Sequence, residues 1–219
     1  MNSRTAVYVV AAVAILVFGV ATWLYQQPQL QSSSAAPVFA TIEEAGYVRP
    51  HSPVIGAADA PVTITEFFDP SCEACRAFYP IVKQIMDRHP GQVKLVLRYA
   101  PFHEGSDQAV KLLEAARLQD KFIPVLEALL ARQPEWAVHG APDLDLAWGI
   151  AGEAGLDVAQ ARQDVMRPGM IGVINADMAD IETLGVQQTP TFFVNGKAPD
   201  STDPQALATL VANEVAAVR

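Results

Sequence analysis

The sequence predicts an α/β fold that carries an inserted all-helical block and is preceded by a single N-terminal transmembrane helix. Three observations predict this class. Two short β-rich segments flank a helix that begins at the chain's only two cysteines. A stretch of about 80 residues then shows helical spacing, and β character returns before a last helix. The N-terminal stretch 6–25 is apolar and uncharged, which is typical of a membrane span.

Composition limits the possible functions of the chain. It has 219 residues and a formal net charge of -9, with no basic stripe, so we expect no nucleic-acid partner. About 180 residues remain from about residue 37 onward, enough for one domain with a buried core. No dimerisation signature is visible, and we predict a monomeric domain.

The N-terminal segment is predicted to be an uncleaved signal-anchor. Ala6–Tyr25 holds 20 residues without a charge, and as a helix it would span roughly 30 Å. Arg4 is the charged side chain before it. The positive-inside tendency therefore leaves residues 1–5 in the cytoplasm and exports the rest. We expect a single-pass inner-membrane protein with its catalytic domain in the periplasm or another extracytoplasmic space.

A cleavable signal peptide and a buried core helix are the alternatives for this segment. Small residues at 34–36 could form a cleavage site, but Pro37 follows them directly. Residues 26–53 are predicted to be a flexible linker and lead-in. The anchor and the signal peptide both place the remaining chain in an oxidising compartment, where cysteine pairs form bridges or do redox work.

The first part of the predicted domain, residues 54–219, alternates between strand and helix. Val62–Phe68 is β-rich and predicts a strand, and Arg76–His89 has helical spacing that ends at Pro90-Gly91. Gln92–Tyr99 alternates and predicts a second strand.

The second part is mainly helical. A helical insertion is predicted at about 106–184, in the segments Ser106–Gln119, Lys121–Arg132, Leu144–Ala154, Val158–Met166 and Ile171–Leu184. Thr191–Val194 then predicts a strand, Asn195-Gly196 a hairpin turn, and Pro204–Val218 the last helix.

The cysteine pair lies where the first strand gives way to the first helix. Cys72 and Cys75 would share the first helical turn, whose free N–H groups and positive dipole end favour a thiolate. That position predicts a redox-active dithiol. From the spacing alone, a fixed disulfide, half of a metal site and inert buried thiols remain open.

Several residues resemble those of the DsbA-like thiol:disulfide oxidoreductases, which have a thioredoxin fold with a helical insertion. In the segment EFFDPSCEACRAF, two aromatic residues precede the Cys72–Cys75 motif. Glu66 stands six residues before Cys72, where the family places a buried acid, and Thr189-Pro190 precedes a strand, where the family keeps a cis-proline. The loop at Tyr99–His103 is similar to the one that opens the family's insertion. The resemblance extends from Val54 to the C-terminus.

The resemblance implies a role for each of these residues. Cys72 is expected to be the nucleophile and Cys75 the resolving thiol of a redox-active disulfide. Strand alternation points Glu66 toward a core, and its expected use is to exchange a proton with Cys75. A cis bond before Pro190 would present the Thr189 backbone to an extended substrate strand.

The two residues between the cysteines are expected to tune the redox potential. Strongly oxidising members of the family typically carry Pro-His there, and this chain has Glu73 and Ala74. Glu73 is either a like charge that raises the pKa of the nearby thiol or an ordinary solvated first-turn acid. The missing histidine predicts a protein less oxidising than the strong oxidases.

Other polar residues give weaker signals. His103 is interpreted as a solvated loop residue, with the rim of the active site as the alternative. His51, His89 and His139 show no metal-ligand spacing, and Asp69 is expected to be solvated. Trp136 and Trp148 are expected to pack in the helical block.

The predicted function is a membrane-anchored extracytoplasmic thiol:disulfide oxidoreductase without a cofactor or a bound metal. Its expected partners are protein substrates with cysteine pairs and a membrane oxidase or reductase. The direction of exchange stays open. The alternatives are a module that passes a soft ion such as Cu(I) through Cys72 and Cys75, and an interaction domain with a vestigial disulfide.

Overall fold

The protein is described by a computed structural model, which covers residues 45–218. The predicted cytoplasmic residues 1–5, the predicted membrane segment Ala6–Tyr25 and linker residues 26–44 lie outside the described residues. In the part of the chain that is described, no helix combines the length and the apolarity needed to cross a bilayer.

A mixed four-stranded sheet forms the centre of the domain. Its strands are β1 (Val54–Ile55), β2 (Val62–Phe68), β3 (Val93–Tyr99) and β4 (Thr191–Val194), in the order β1-β3-β2-β4. The central pair, β2 and β3, is parallel, and the two outer strands run antiparallel to their neighbours. Every residue of β2 is buried, as a central strand covered on both faces requires.

Eight helices surround the sheet within residues 45–218. They are α1 (Glu73–Asp87), α2 (Ser106–Leu118), α3 (Phe122–Ala131), α4 (Gln133–Trp136), α5 (Leu144–Glu153), α6 (Val158–Asp164), α7 (Pro168–Leu184) and α8 (Pro204–Ala217). Helices α2 to α7 follow one another without an intervening strand, as predicted for the insertion. The thioredoxin-like α/β fold with its helices is therefore confirmed.

One apolar cluster joins the sheet to the helical insertion. It contains Phe68 and Tyr99 at the ends of the two central strands together with Leu113 and Trp136 of the insertion. Trp136 is fully buried, and its indole N–H donates to the Leu129 carbonyl oxygen at 2.9 Å. The predicted packing role of Trp136 is thus confirmed, and the insertion is anchored to the end of the sheet where the cysteines lie.

The predicted elements need four corrections, the first of which is the short helix α4 (Gln133–Trp136), which lies between two predicted segments. Strand β1 was not predicted, because two residues are too few to show a pattern. Helix α7 begins at Pro168, three residues before the predicted start at Ile171, because proline is tolerated in the first helical turn. The Asn195-Gly196 turn forms with positive φ at both residues, but the chain returns through a single bridge, Val194 to Lys197, and no second hairpin strand follows.

A buried ion cluster holds the lead-in segment against the domain. Arg98 of β3 is fully buried and pairs with Asp177 and Asp180 of α7 at 2.7 and 2.6 Å. Arg49 pairs with Asp180, and His51 Nε2 lies 2.6 Å from Asp177 Oδ1. Removing one member would leave a buried charge unpaired.

Candidate active site

The two cysteines lie at the start of α1. Cys72 is the N-cap residue of that helix, with extended backbone angles, and Cys75 follows in its first turn. The loop before them is closed by a backbone hydrogen bond of 3.1 Å from Cys72 to Asp69. Cys72 is 5% exposed and Cys75 is fully buried, so Cys72 is the more accessible sulfur of the pair.

The environments of the two thiols separate their pKa values. A hydrogen bond from Cys75 is the largest cause that lowers the pKa of Cys72, to about 5, against the opposing effect of burial. Thr189 and the backbone N–H groups of Ala74 and Cys75 lower it further, as expected at a helix N-terminus. Burial raises the pKa of Cys75 far above its usual range, and the hydrogen bond with Cys72 and the charge of Glu66 act in the same direction. At neutral pH one sulfur is therefore a thiolate and the other is a thiol.

Glu66 is a buried carboxyl group without a hydrogen-bond partner. It is fully buried in β2, beside Leu97 of β3 and Phe192 of β4, and neither carboxyl oxygen has a partner. Burial, and after it the charge of Cys72, raises its pKa well above the usual value. The group is a neutral acid at pH values where an exposed Glu is charged, and it interacts electrostatically with both sulfurs.

The segment before β4 adjoins the nucleophile. The Thr189-Pro190 bond is cis, as the resemblance implied, and Cys72 Sγ lies 3.3 Å from the Thr189 carbonyl oxygen. A cavity of about 460 Å³ lies beside them, and Ala74, Phe78 and Phe192 also line it. It is the size of a ligand cleft and presents both apolar rings and backbone groups.

Asp69 connects the cysteine loop to the helical insertion, and its predicted solvation is wrong. Its carboxylate is fully buried and accepts hydrogen bonds from the Ser71 backbone N–H at 2.8 Å and the Ser106 hydroxyl at 2.5 Å. It also accepts from the backbone N–H groups of Phe102 and His103, and lies 2.7 Å from His103 Nδ1. Five donors replace water, which explains how the carboxylate tolerates burial.

Two histidines approach the cysteine motif from other loops. His139 Nε2 lies 3.0 Å from Glu73 Oε1, and the His103 and His139 rings are 5.3 Å apart. His103 is half-buried; burial lowers its pKa, but the hydrogen bond and charge of Asp69 and the charges of Cys72 and Glu73 raise it overall. The expectation that His103 is merely solvated is therefore wrong.

The charge of Glu73 is compensated locally. A hydrogen bond from its own backbone N–H is the largest cause that lowers the pKa of Glu73, and the charge of His139 lowers it further. The pKa of Cys72 is lowered overall, and the hydrogen bond from Cys75 is the leading cause. Of the two interpretations of Glu73, the structure favours a first-turn acid, whose carboxylate contacts His139 at the surface.

Gln133 is a site residue that sequence reasoning missed. It begins α4, is buried, and donates its side-chain amide to the Pro70 and Cys72 carbonyl oxygens at 2.8 and 3.0 Å. The insertion thereby supports the loop that carries the nucleophile. The sequence carries no signal for this role, because nothing local shows what a side chain 61 residues away contacts.

Comparison with protein families gives a match over most of the described chain. A family model described as Thioredoxin matches residues 49–213. The Na(+)/H(+) antiporter NhaA of Herminiimonas arsenicoxydans is 31% identical over 142 residues, which are 65% of this chain and 22% of the antiporter. An NhaA 1 antiporter of Mycobacterium sp. (strain KMS) is 30% identical over 68% of this chain and 25% of its own length. The chain thus spans at most about a quarter of these curated relatives.

Solved structures match over nearly their full length. A thioredoxin-like oxidoreductase from Silicibacter pomeroyi DSS-3 is 31% identical with a TM-score of 0.67, covering 78% of this chain and 98% of that one. BdbD from Bacillus subtilis, in its oxidised form, is 26% identical with a TM-score of 0.65, covering 76% and 94%. Wolbachia pipientis α-DsbA1 shares the fold, with 19% identity, a TM-score of 0.66 and coverage of 78% and 94%.

Proposed function

The chain belongs to the thioredoxin family, among its DsbA-like thiol:disulfide oxidoreductases, and on this basis we propose that it exchanges disulfides with protein substrates through Cys72 and Cys75. The opposite shifts of the two thiol pKa values carry the proposal. A dithiol with one thiolate, on the more accessible sulfur, and one fully buried thiol has a defined nucleophile and a defined resolving group.

In the oxidising direction the enzyme begins with a Cys72–Cys75 disulfide. A substrate thiolate attacks Cys72 Sγ, the S–S bond breaks, and Cys75 takes a proton from Glu66 as it leaves. A second substrate thiolate attacks the substrate sulfur of the mixed disulfide. The substrate disulfide forms and Cys72 departs as a thiolate, which its low pKa makes a good leaving group.

The reducing direction uses the same groups in reverse order. The Cys72 thiolate attacks a substrate disulfide and releases one substrate thiolate. Glu66, in its ionised form, then accepts the proton of Cys75, whose sulfur attacks Cys72 Sγ and releases the reduced substrate. A buried carboxyl group with a raised pKa suits both proton transfers, because it can hold the proton near neutral pH.

The cleft beside Pro190 is the proposed substrate site. Its aromatic wall, formed by Phe78 and Phe192, suits apolar side chains of an unfolded client. The backbone of Thr189, which lies against Cys72, supplies polar groups that can pair with an extended peptide. We infer that clients bind there as extended, cysteine-containing segments.

Anchoring in a membrane is the second part of the proposal. Ala6–Tyr25 is uncharged and as long as a bilayer span, and an extracytoplasmic location suits a thiol:disulfide enzyme. A membrane oxidase or reductase would then reset the dithiol after each turnover.

The local environment of the two thiols disfavours the soft-metal alternative. A dithiol binds a soft ion as two thiolates, and burial keeps the Cys75 thiol protonated far above neutral pH. Exchange of disulfides needs only one thiolate at a time.

Trapping of mixed disulfides tests the proposed function. In full-length Cys75→Ala, substrates should accumulate as reducible adducts on Cys72, because the resolving thiol is gone. Cys72→Ala should trap none, and the wild type should show only transient adducts. Adducts that form through Cys75 in Cys72→Ala, or none in either variant, would overturn the assignment.

A further inference from the structure

Three side chains from separate segments converge beside the nucleophile without a part in the proposed exchange reaction. They are Glu73 in the first turn of α1, His103 in the loop before α2 and His139 in the loop after α4. One carboxylate oxygen and one ring nitrogen from each histidine lie within 4.8 Å of one another. Their sequence spacing showed no metal pattern, because 30 or more residues separate each from the next.

Two imidazoles and one carboxylate form the ligand set of an open zinc site. Imidazole and carboxylate groups bind Zn²⁺ at about 2.0–2.2 Å and leave the fourth tetrahedral position to water. Ligands at that distance lie roughly 3.4 Å apart. His139 Nε2 and Glu73 Oε1 are already 3.0 Å apart, so only the separations from His103, which are at most 4.8 Å, need to shorten, by up to roughly 1.4 Å. The Glu73 and His139 side chains can move that far, since they are 52% and 68% exposed.

His103 contacts a buried carboxylate through one of its ring nitrogens. Asp69 is an acceptor for four other donors, so His103 Nδ1 carries a hydrogen and donates to Asp69 Oδ2 at 2.7 Å. In the neutral ring, Nε2 then holds a free lone pair. A buried carboxylate that fixes the tautomer and direction of a ligand histidine is the usual outer partner in zinc sites.

We propose that Glu73, His103 and His139 bind a divalent ion of the zinc class, held in position by the hydrogen bond from His103 to Asp69. In the unliganded protein the ion pair between His139 and Glu73 occupies part of this site, and the ion replaces it. The two histidines meet at a small surface recess, which Ser71 and Pro142 also line. The site does not depend on the proposed disulfide exchange, since it contains neither cysteine sulfur.

Zinc titration of the oxidised, untagged, full-length chain tests the proposal. With Cys72 and Cys75 joined in a disulfide, the dithiol cannot be the ligand. We expect calorimetry to show one saturable Zn²⁺ site. Loss of one ligand in His139→Ala or Glu73→Gln should weaken binding at least about tenfold. His89→Ala is the matched control, because His89 lies outside the cluster, and it should bind zinc as the wild type does.

Further measurements separate the possible outcomes. Cobalt bound to the oxidised chain should give tetrahedral visible bands without sulfur-to-metal charge transfer, and His139→Ala should lose them. Circular dichroism should show that His139→Ala remains folded, since the residue is in an exposed loop. No saturable zinc binding by the oxidised protein, unchanged binding in His139→Ala, or binding by the reduced protein alone would each overturn the site. None of these results bears on substrate trapping by Cys75→Ala.

Discussion

Gln133 donates its side-chain amide to the backbone carbonyl oxygen of Cys72 at a distance of 3.0 Å. That carbonyl also accepts the backbone N–H of Arg76 and so belongs to the first hydrogen-bonded turn of α1. A second bond from Gln133 reaches Pro70 in the same loop. The helical insertion, which contributes no reacting atom to the proposed exchange, therefore holds the backbone at the nucleophile in position.

The first prediction concerns this support. Gln133→Leu keeps much of the side-chain volume but leaves two buried carbonyl groups short of a donor. We expect the free energy of unfolding to fall by about 1–3 kcal/mol, since that is the usual cost of an unmade buried hydrogen bond. Urea unfolding of the reduced protein measures it. Gln84→Leu, at an exposed position of α1, is the control and should change it by less than about 0.5 kcal/mol. Equal effects of the two substitutions would contradict a supporting role for Gln133.

The second prediction concerns the titration of Cys72. In the reduced wild type, the rate of alkylation at Cys72 should rise with a midpoint near pH 5, because the Cys75 thiol and the helix N-terminus stabilise the thiolate. Cys75→Ala removes the largest of these contributions and should move the midpoint to higher pH. Pulsed alkylation followed by mass spectrometry gives both profiles. A wild-type midpoint near 9, or no change in Cys75→Ala, would contradict the assigned cause.

The lowered pKa of Cys72 also makes the stability of the reduced protein depend on pH. The pKa of Cys72 in the folded protein is depressed below the usual value of 9.0. The thiolate therefore adds stability to the reduced form that is fully present above pH 9 and disappears as the pH falls through about 5. Between these limits, this group makes the reduced protein more stable as the pH rises.

Some elements of this chain were predictable because their residues carry local signals. β2 and β4 are rich in β-branched and aromatic residues, and their predicted bounds, Val62–Phe68 and Thr191–Val194, agree with the structure. The positions of Cys72 at a helix start and of Glu66 facing a core followed from strand alternation and from the change of period at the cysteines.

Other features depend on contacts between distant segments. Asp69 is predicted to be solvated because nothing in its local sequence points to a partner, and only the folded chain brings Ser106 and His103 to it. Arg98 looks like an exposed position in an alternating strand, yet it is buried because α7 supplies two carboxylates. Such pairs leave no periodic signal in a single sequence.

The third prediction concerns the redox potential. A Cys72 pKa of about 5 lies between the thiol pKa values of about 7 in thioredoxin and about 3.5 in DsbA. A more stable thiolate favours the reduced form, so we expect a potential between about -270 and -120 mV. Equilibration with glutathione buffers, followed by alkylation of free thiols, measures it.

Replacement of the intervening residues provides the comparison for that measurement. Glu73→Pro with Ala74→His introduces a histidine donor between the cysteines, and it should make the protein more oxidising than the wild type. A wild-type potential at or above about -120 mV would contradict the expectation, and so would a double variant that is less oxidising than the wild type.

The fourth prediction separates the proton-transfer role of Glu66 from its effect on stability. Glu66→Gln keeps the shape of the side chain but cannot give or accept a proton. We expect the resolution of the mixed disulfide by Cys75 to slow about 10²-fold, the lower end of the range for general acid–base catalysis. The first attack by Cys72 should change far less, because Cys72 is already a thiolate at neutral pH. Single-turnover kinetics with a peptide disulfide resolves the two steps.

Replacing Glu66 with an apolar residue should raise the stability of the protein even though it slows the reaction, because an unpaired buried carboxyl group destabilises the fold. Its pKa is raised above the usual 4.5, so the native protein binds the proton more tightly than the unfolded chain. The stability contributed by that proton is present below pH 4.5 and is lost as the pH rises through the folded pKa. Glu66→Leu has no carboxyl group to ionise, so it should be more stable than the wild type by about 1–3 kcal/mol at neutral pH. This difference in stability should shrink in acid. A leucine variant that resolves mixed disulfides at the wild-type rate would show that Cys75 loses its proton by another route.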